Sequence, residues 1–135
     1  MNNKIKGIEK IELMMGEWNP CALAIIETFE LKKTFDSLSV DMVMNAIFQP
    51  RSASWPDFNK EMFRIKIIFN SVNGLCLKDF GGGVNQIMGF DIRYIGDRGW
   101  ERVNFEIEDY EDDRIRFNCK GIEIKSIESM YTLYE

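Results

Sequence analysis

Apolar and polar side chains alternate in short runs from residue 63 to residue 127. The clearest run places Phe63, Ile65, Ile67 and Phe69 on one face. A period of two residues is typical of a strand with one buried face. Similar patterns predict strands at residues 23–31, 38–48, 88–94, 103–107, 115–119 and 122–124.

The first segment, residues 4–15, has a different pattern. Ile5, Ile8, Ile11 and Met14 recur every three residues and predict a short helix, which Gly7 weakens. The whole succession predicts a single, mainly β domain over residues 1–135. We expect an antiparallel sheet curled into a barrel, roll or sandwich, with a short N-terminal helix. An α+β arrangement is the alternative.

The Asn73–Gly74 dipeptide is a strong turn signal after the clearest strand. A loop over residues 70–74 would pair Phe69 with Leu75 and Ile67 with Leu77. Both pairs are apolar, so the pattern predicts a hairpin, or a bulge with the same effect.

A second hairpin is predicted around the acidic segment at residues 101–113. With a loop at residues 109–113, Glu108 faces Arg114 and Glu106 faces Arg116. The same register aligns the apolar faces of both strands. Each cross-strand charge pair would contribute about 0.2–1 kcal/mol.

Four acids at the end of that hairpin form what we call the acidic tip: Asp109, Glu111, Asp112 and Asp113. A solvated loop, an acidic partner-binding surface and a metal site are the three interpretations. The spacing lacks the EF-hand pattern, so we expect no metal. As a binding surface, the acidic tip would attract a basic partner.

The tryptophans Trp18, Trp55 and Trp100 all fall at turns or loops. Exposed aromatic residues of this kind often anchor protein partners, but they also cap the open ends of small barrels. Because Ser54 and Pro56 flank it, Trp55 is the most exposed in this interpretation. We expect Trp55 and Trp100 to be the anchors.

The amino-acid composition argues against several classes of function. The chain has no histidine, the side chain most often used for proton transfer near neutral pH. It has 22 acidic and 17 basic residues and a net charge of -5. That balance argues against nucleic-acid or anionic-membrane binding, which needs clustered Lys and Arg. A glycine run at residues 81–83 lacks the Lys-Ser/Thr of a phosphate loop, so no cofactor is expected.

The cellular localisation is predicted from the apolar segments and the cysteines of the chain. There is no 18-residue apolar run, and residues 1–10 have no secretory h-region. Cys21, Cys76 and Cys119 are widely spaced among apolar residues and are expected to be buried free thiols. These features predict a protein of the reducing cytoplasm.

Several segments carry a resemblance to a known group of proteins. They are FRIKIIFNSVNGLCL at 63–77, QIMGFDI at 86–92, WE at 100–101 and DYE at 109–111. This half of the chain resembles small bacterial β-rich proteins of uncharacterised families, some assigned as immunity proteins of polymorphic toxin systems. The resemblance implies a cytoplasmic protein that neutralises a toxin by binding it, and it supplies no residue set.

The leading hypothesis is therefore a non-enzymatic protein-binding module, such as an immunity protein that occludes a basic toxin domain. One alternative is a β-barrel that binds a small apolar ligand in a cavity lined by Phe and Met. The other is a histidine-free hydrolase, which would need two carboxyl groups about 5–10 Å apart across a cleft.

Overall fold

The computed structural model describes residues 4–15, 18, 23–33, 39–48, 62–78, 90–96, 104–109 and 115–129. These residues form one helix and eight strands. In chain order they are α1 (Ile8–Met15), β1 (Leu23–Lys33), β2 (Val40–Phe48), β3 (Phe63–Asn70), β4 (Asn73–Leu77), β5 (Phe90–Tyr94), β6 (Phe105–Asp109), β7 (Ile115–Cys119) and β8 (Gly121–Ser129). The prediction of a mainly β fold with a short N-terminal helix is confirmed.

The strands form two antiparallel sheets, ordered β1-β2-β3-β8 and β4-β7-β6-β5. Rings from the two sheets meet edge-on in the interior. The ring centroids of Phe69 and Phe117 lie 5.0 Å apart, and those of Phe48 and Phe90 lie 6.3 Å apart. Of the three predicted arrangements, this one corresponds to a sandwich.

Two connections carry the chain from one sheet directly into the other. β3 continues through Ser71 into β4, and β7 continues through Lys120 into β8. The β3–β4 segment and the β7–β8 segment remain hydrogen-bonded to each other through the bend, where the Lys120 amide donates to the Asn70 carbonyl at 2.8 Å. Ser71 has a φ of 53°, and its amide donates to Asp41 Oδ1 at 2.9 Å. We call this bend the sheet corner.

The hairpin predicted between residues 63–70 and 75–77 is wrong. β3 is already paired on both edges, by β2 and β8, so no edge remains for β4. β4 instead pairs with β7 in the other sheet. Gly74, with a φ of 62°, lies in a bulge inside β4, where Asn73 faces Asn118 and Cys76 faces Arg116. The local turn signal was therefore overridden by sheet pairing.

The hairpin between β6 and β7 is confirmed, but its predicted register is two residues off. Glu108 faces Arg116, and Glu106 faces Asn118. A shift of two keeps every side chain on its predicted face because side chains alternate with a period of two. The apolar pattern therefore could not separate the two registers, and the charge pairs favoured the wrong one.

The helix begins at Ile8, later than the predicted residue 4, because the chain before it joins β8. The Lys6 amide donates to the Ile122 carbonyl at 3.0 Å, and the Ile124 amide donates to the Lys6 carbonyl at 2.7 Å. Gly7 then turns the chain with a φ of 81°. This segment covers an edge of β8 that would otherwise be open to another strand.

Gly7→Ala is expected to destabilise the protein more than Gly74→Ala does. Both glycines have a positive φ, which costs an L-residue about 1–2 kcal/mol. A Cβ at Gly7 would also lie 2.5 Å from the Ile124 carbonyl oxygen, whereas a Cβ at Gly74 would meet nothing within 4 Å. Urea unfolding should show at least about 1 kcal/mol more loss for Gly7→Ala. Equal losses would contradict the packing of residues 4–7 on β8.

Candidate functional site

Most predicted site residues lie outside the described residues. These are Trp55, Trp100, Glu111, Asp112 and Asp113. Asp109 is the last residue of β6, and its backbone faces Phe90 of β5. The roles assigned to all six residues therefore stay predictions.

A charged surface lies on the outer face of the second sheet, immediately before the acidic tip. Its centre is Arg93 of β5, whose Nη2 donates to Glu108 Oε2 at 3.0 Å and also to Glu106 Oε1. Arg116 of β7 lies opposite Glu108. We call the outward side chains of Arg93, Glu106, Glu108, Arg116 and Asn118 the β6 face.

A groove of about 480 Å³ crosses the β6 face. It is lined by Gly74, Glu106, Glu108, Arg116, Phe117 and Asn118. At Gly74 the space that a Cβ would enter is empty, so the bulge leaves the groove open towards β4. The groove thus presents two carboxylates to solvent, and a carboxylate accepts hydrogen bonds from Lys or Arg.

The same two carboxylates do not have the geometry of a hydrolase pair. Glu106 and Glu108 project from one strand and bind the same nitrogen of Arg93, so they do not face each other across a cleft. Two carboxyl groups on the same side of one strand do not provide the opposed acid and base that glycoside hydrolysis uses.

The first sheet carries a second ion-pair network on its outer face. Arg64 donates to both Glu27 oxygens, at 2.6 and 3.0 Å, and to Glu128 Oε1 at 2.8 Å. These hydrogen bonds raise the pKa of the Arg64 guanidinium above its usual range. The network ties β1, β3 and β8 together and is a structural feature.

The cysteine prediction is confirmed for Cys119, which is fully buried. Burial raises the pKa of its thiol to about 12. At neutral pH the group is therefore protonated and is a poor nucleophile. Cys76 is free but only half-buried, and Cys21 lies outside the described residues.

Trp18 belongs to the core. It is 3% exposed, and its ring meets Phe48 edge-on with centroids 5.6 Å apart. Trp18 is therefore a buried core residue and not an exposed anchor for a partner. The inward Phe and Met side chains of the two sheets fill the interior beneath it: Met42, Met44, Phe48, Phe69, Phe90 and Phe117.

The sequence analysis missed a second concave surface, at the sheet corner. This cleft of about 390 Å³ is lined by Lys4, Lys6, Asn70, Tyr94, Asn104, Phe105, Lys120, Gly121, Ile122 and Glu123. Its lysines come from both ends of the chain, so no local motif could have indicated it. We call it the corner cleft.

Comparison with protein-family models, curated proteins and solved structures found no match. Within the described ranges, no three His, Cys, Asp or Glu side chains are grouped so that they could hold a metal ion. No helix among those same residues has the length and apolar character needed to cross a membrane.

Proposed function

We propose that this protein is a non-enzymatic, cytoplasmic protein-binding module that captures a basic partner through the β6 face and the acidic tip. The observation that carries the proposal is the groove on the β6 face, with Glu106 and Glu108 along it. β6 ends at Asp109, so the acidic tip continues the strand that carries both carboxylates. The β6 face itself is neutral, with Arg93 and Arg116 against Glu106 and Glu108, so the acidic tip would supply the negative charge of the combined surface.

The carboxylates of the β6 face have capacity for a partner. Each carboxylate has about four acceptor sites, and Arg93 binds both Glu106 and Glu108 through a single nitrogen. Their side chains are 25% and 34% exposed. A Lys or Arg of the partner could therefore add hydrogen bonds without displacing Arg93.

Electrostatic attraction would act mainly on the association rate. A net charge of -5 attracts a basic protein over distances of about 10 Å at ordinary ionic strength. Trp55 and Trp100 would then supply apolar contacts that slow dissociation. Occluding the active surface of a toxin requires only this tight, rapid binding.

A non-enzymatic role is supported by the state of the polar groups. Glu106 and Glu108 are held by Arg93, Glu27 and Glu128 by Arg64, and the Cys119 thiol is neutral. Glu106 and Glu108 lie side by side on one cation, whereas the two carboxyl groups of a hydrolase would face each other across a cleft.

The resemblance to bacterial immunity proteins specifies how to find the partner. Immunity genes would lie next to the gene of their toxin, so DNA sequencing beside this gene should identify a secreted protein with a variable C-terminal domain. That domain, made inactive, is the binding partner to test. A neighbourhood of metabolic genes would contradict the immunity role.

We expect Glu106→Gln with Glu108→Gln to slow association with that domain by about tenfold and to weaken its salt dependence. Stopped-flow fluorescence or biolayer interferometry measures the rate. The matched control is Glu9→Gln with Glu12→Gln on α1, which changes the net charge equally on exposed helix positions. The proposal fails if both pairs slow association by the same factor, because only total charge would then matter.

A further inference from the structure

We propose that the corner cleft is a binding site for a small molecule that carries two anionic groups, either carboxylate or phosphate. The site lies where β3 passes into β4 and β7 passes into β8. Its volume of about 390 Å³ falls within the range of small-molecule sites. This inference does not depend on the proposed protein-binding role.

The charge of the corner cleft is opposite to that of the whole chain. Among the described lining residues, Lys4, Lys6 and Lys120 contribute +3 and Glu123 contributes -1, which gives +2. Since the chain carries -5, the rest of the molecule carries -7. A positive cleft on an acidic protein concentrates small anions at that place and at few others.

The three lysines are not equally engaged. The Lys6 ammonium lies 3.9 Å from the Glu123 carboxylate, which also binds Lys125 at 3.4 Å. The Lys4 ammonium lies over the Tyr94 ring, 4.7 Å from its centroid. Among the described residues, neither Lys4 nor Lys120 forms an ion pair with an acid. Two ammonium groups are thus available for two anionic groups.

The wall of the cleft is fixed by backbone pairing at the sheet corner. The Asn104 amide donates to the Cys119 carbonyl at 3.0 Å, and Asn104 Nδ2 donates to the Lys120 carbonyl at 2.8 Å. Asn70 Nδ2 lies close to Gly121, 3.3 Å from the position that a Cβ would occupy. The backbone that carries Lys120 is therefore held in place before any ligand binds, which lowers the entropic cost of binding.

Tyr94 stands at the other side of the cleft and is also constrained. Its ring packs edge-on against Phe105, with centroids 5.5 Å apart. A Cβ at Gly96 would lie 2.5 Å from the Tyr94 hydroxyl, so a larger residue there would displace the end of the Tyr94 side chain. Phe105 and Ile122, each 2% exposed, form the apolar floor.

The residue types define the ligand class. Lysine ammonium groups act as point charges that suit carboxylate and phosphate alike, and the described part of the lining contains no arginine for bidentate selection. The Lys4 ammonium lies over one face of the Tyr94 ring, so that face is not open to a nucleobase while Lys4 stays there. A compact dianion or polyanion without an aromatic ring fits these features.

The test uses citrate and inorganic pyrophosphate as probes of the two anion types. Each is titrated into the whole protein by calorimetry, and amide shifts are followed by NMR at Asn104, Lys120 and Gly121. The variant is Lys4→Gln with Lys120→Gln. The matched control is Lys33→Gln with Lys66→Gln, which removes the same charge from exposed strand positions outside the cleft.

We expect at least one probe to bind, with the largest shifts at the corner, and the cleft variant to weaken binding about tenfold or more. The control should stay within about twofold of the parent protein. Binding of citrate alone would assign a carboxylate ligand, and binding of pyrophosphate alone a phosphate ligand. The proposal is overturned if neither probe binds at millimolar concentration, if the shifts map elsewhere, or if the control weakens binding as much as the variant.

Discussion

Phe117→Ala is expected to lower the free energy of unfolding by about 3–5 kcal/mol. Phe117 is 1% exposed on β7, an inner strand of the second sheet. Its ring packs edge-on against Phe69 of the first sheet, at an interplanar angle of 84°. Truncation therefore removes a large apolar side chain and also leaves a cavity between the two sheets.

Urea unfolding of the wild-type and variant proteins measures this loss. Phe117→Leu is the control, because it keeps much of the volume and should cost clearly less. Combining Phe117→Leu with Phe69→Leu should reveal a coupling energy of about 0.5–1.5 kcal/mol between the rings. A loss under about 1 kcal/mol for Phe117→Ala would mean that the sheets do not pack through this pair.

The second large expected effect is a decrease in the free energy of unfolding at alkaline pH, caused by the buried thiol of Cys119. Burial raises the pKa of its thiol from 9.0 to about 12 in the folded protein. Above pH 9 the unfolded chain releases this proton while the folded protein keeps it, so stability falls as pH rises. The loss is about 1.4 kcal/mol for each pH unit between 9 and 12, up to about 4 kcal/mol.

Cys119→Ala should remove this part of the pH dependence, although it lowers stability at neutral pH by leaving a small cavity. The free energy of unfolding, measured against pH for both proteins, should converge between pH 9 and pH 12. Cys76→Ala is the control for loss of a thiol that is only half-buried. Parallel curves for the wild type and Cys119→Ala would contradict the burial of this thiol.

The strands could be predicted from the sequence because one buried face leaves a strong alternation. β3 is the clearest case: Phe63, Ile65, Ile67 and Phe69 are all buried, as the pattern predicts. Ile5, Ile8 and Ile11 are likewise buried, while Met14 is 44% exposed near the end of the helix. The alternation of apolar and polar residues therefore predicts which face of a strand is buried, but not which strand it pairs with.

The pairing of β4 could not be predicted from the sequence because it depends on which strand edges are already occupied. Asn73–Gly74 has the local chemistry of a hairpin turn, yet β2 and β8 occupy both edges of β3. The observed β6–β7 register differs from the predicted one by two residues. A shift by an even number of residues leaves the alternation of buried and exposed side chains unchanged, so the alternation could not indicate it.

The candidate site, too, could be predicted from the sequence only in part. Glu106 and Glu108 were predicted to point outwards together with the polar residues of the neighbouring strand, and they do. Their shared partner Arg93 lies on β5, which the sequence did not connect to them. The corner cleft could not be predicted, since it brings Lys4 and Lys120 together only through the bend between the sheets.

The central claim, capture of a basic partner by an acidic surface, is tested most directly by one rate measurement. The association rate constant of the neighbouring gene's toxin domain with the wild-type protein is followed as salt is raised. Electrostatic capture predicts a rapid rate at low salt that falls at least about tenfold as the charges are screened. A rate that does not change with salt, or a domain that does not bind, would contradict the claim.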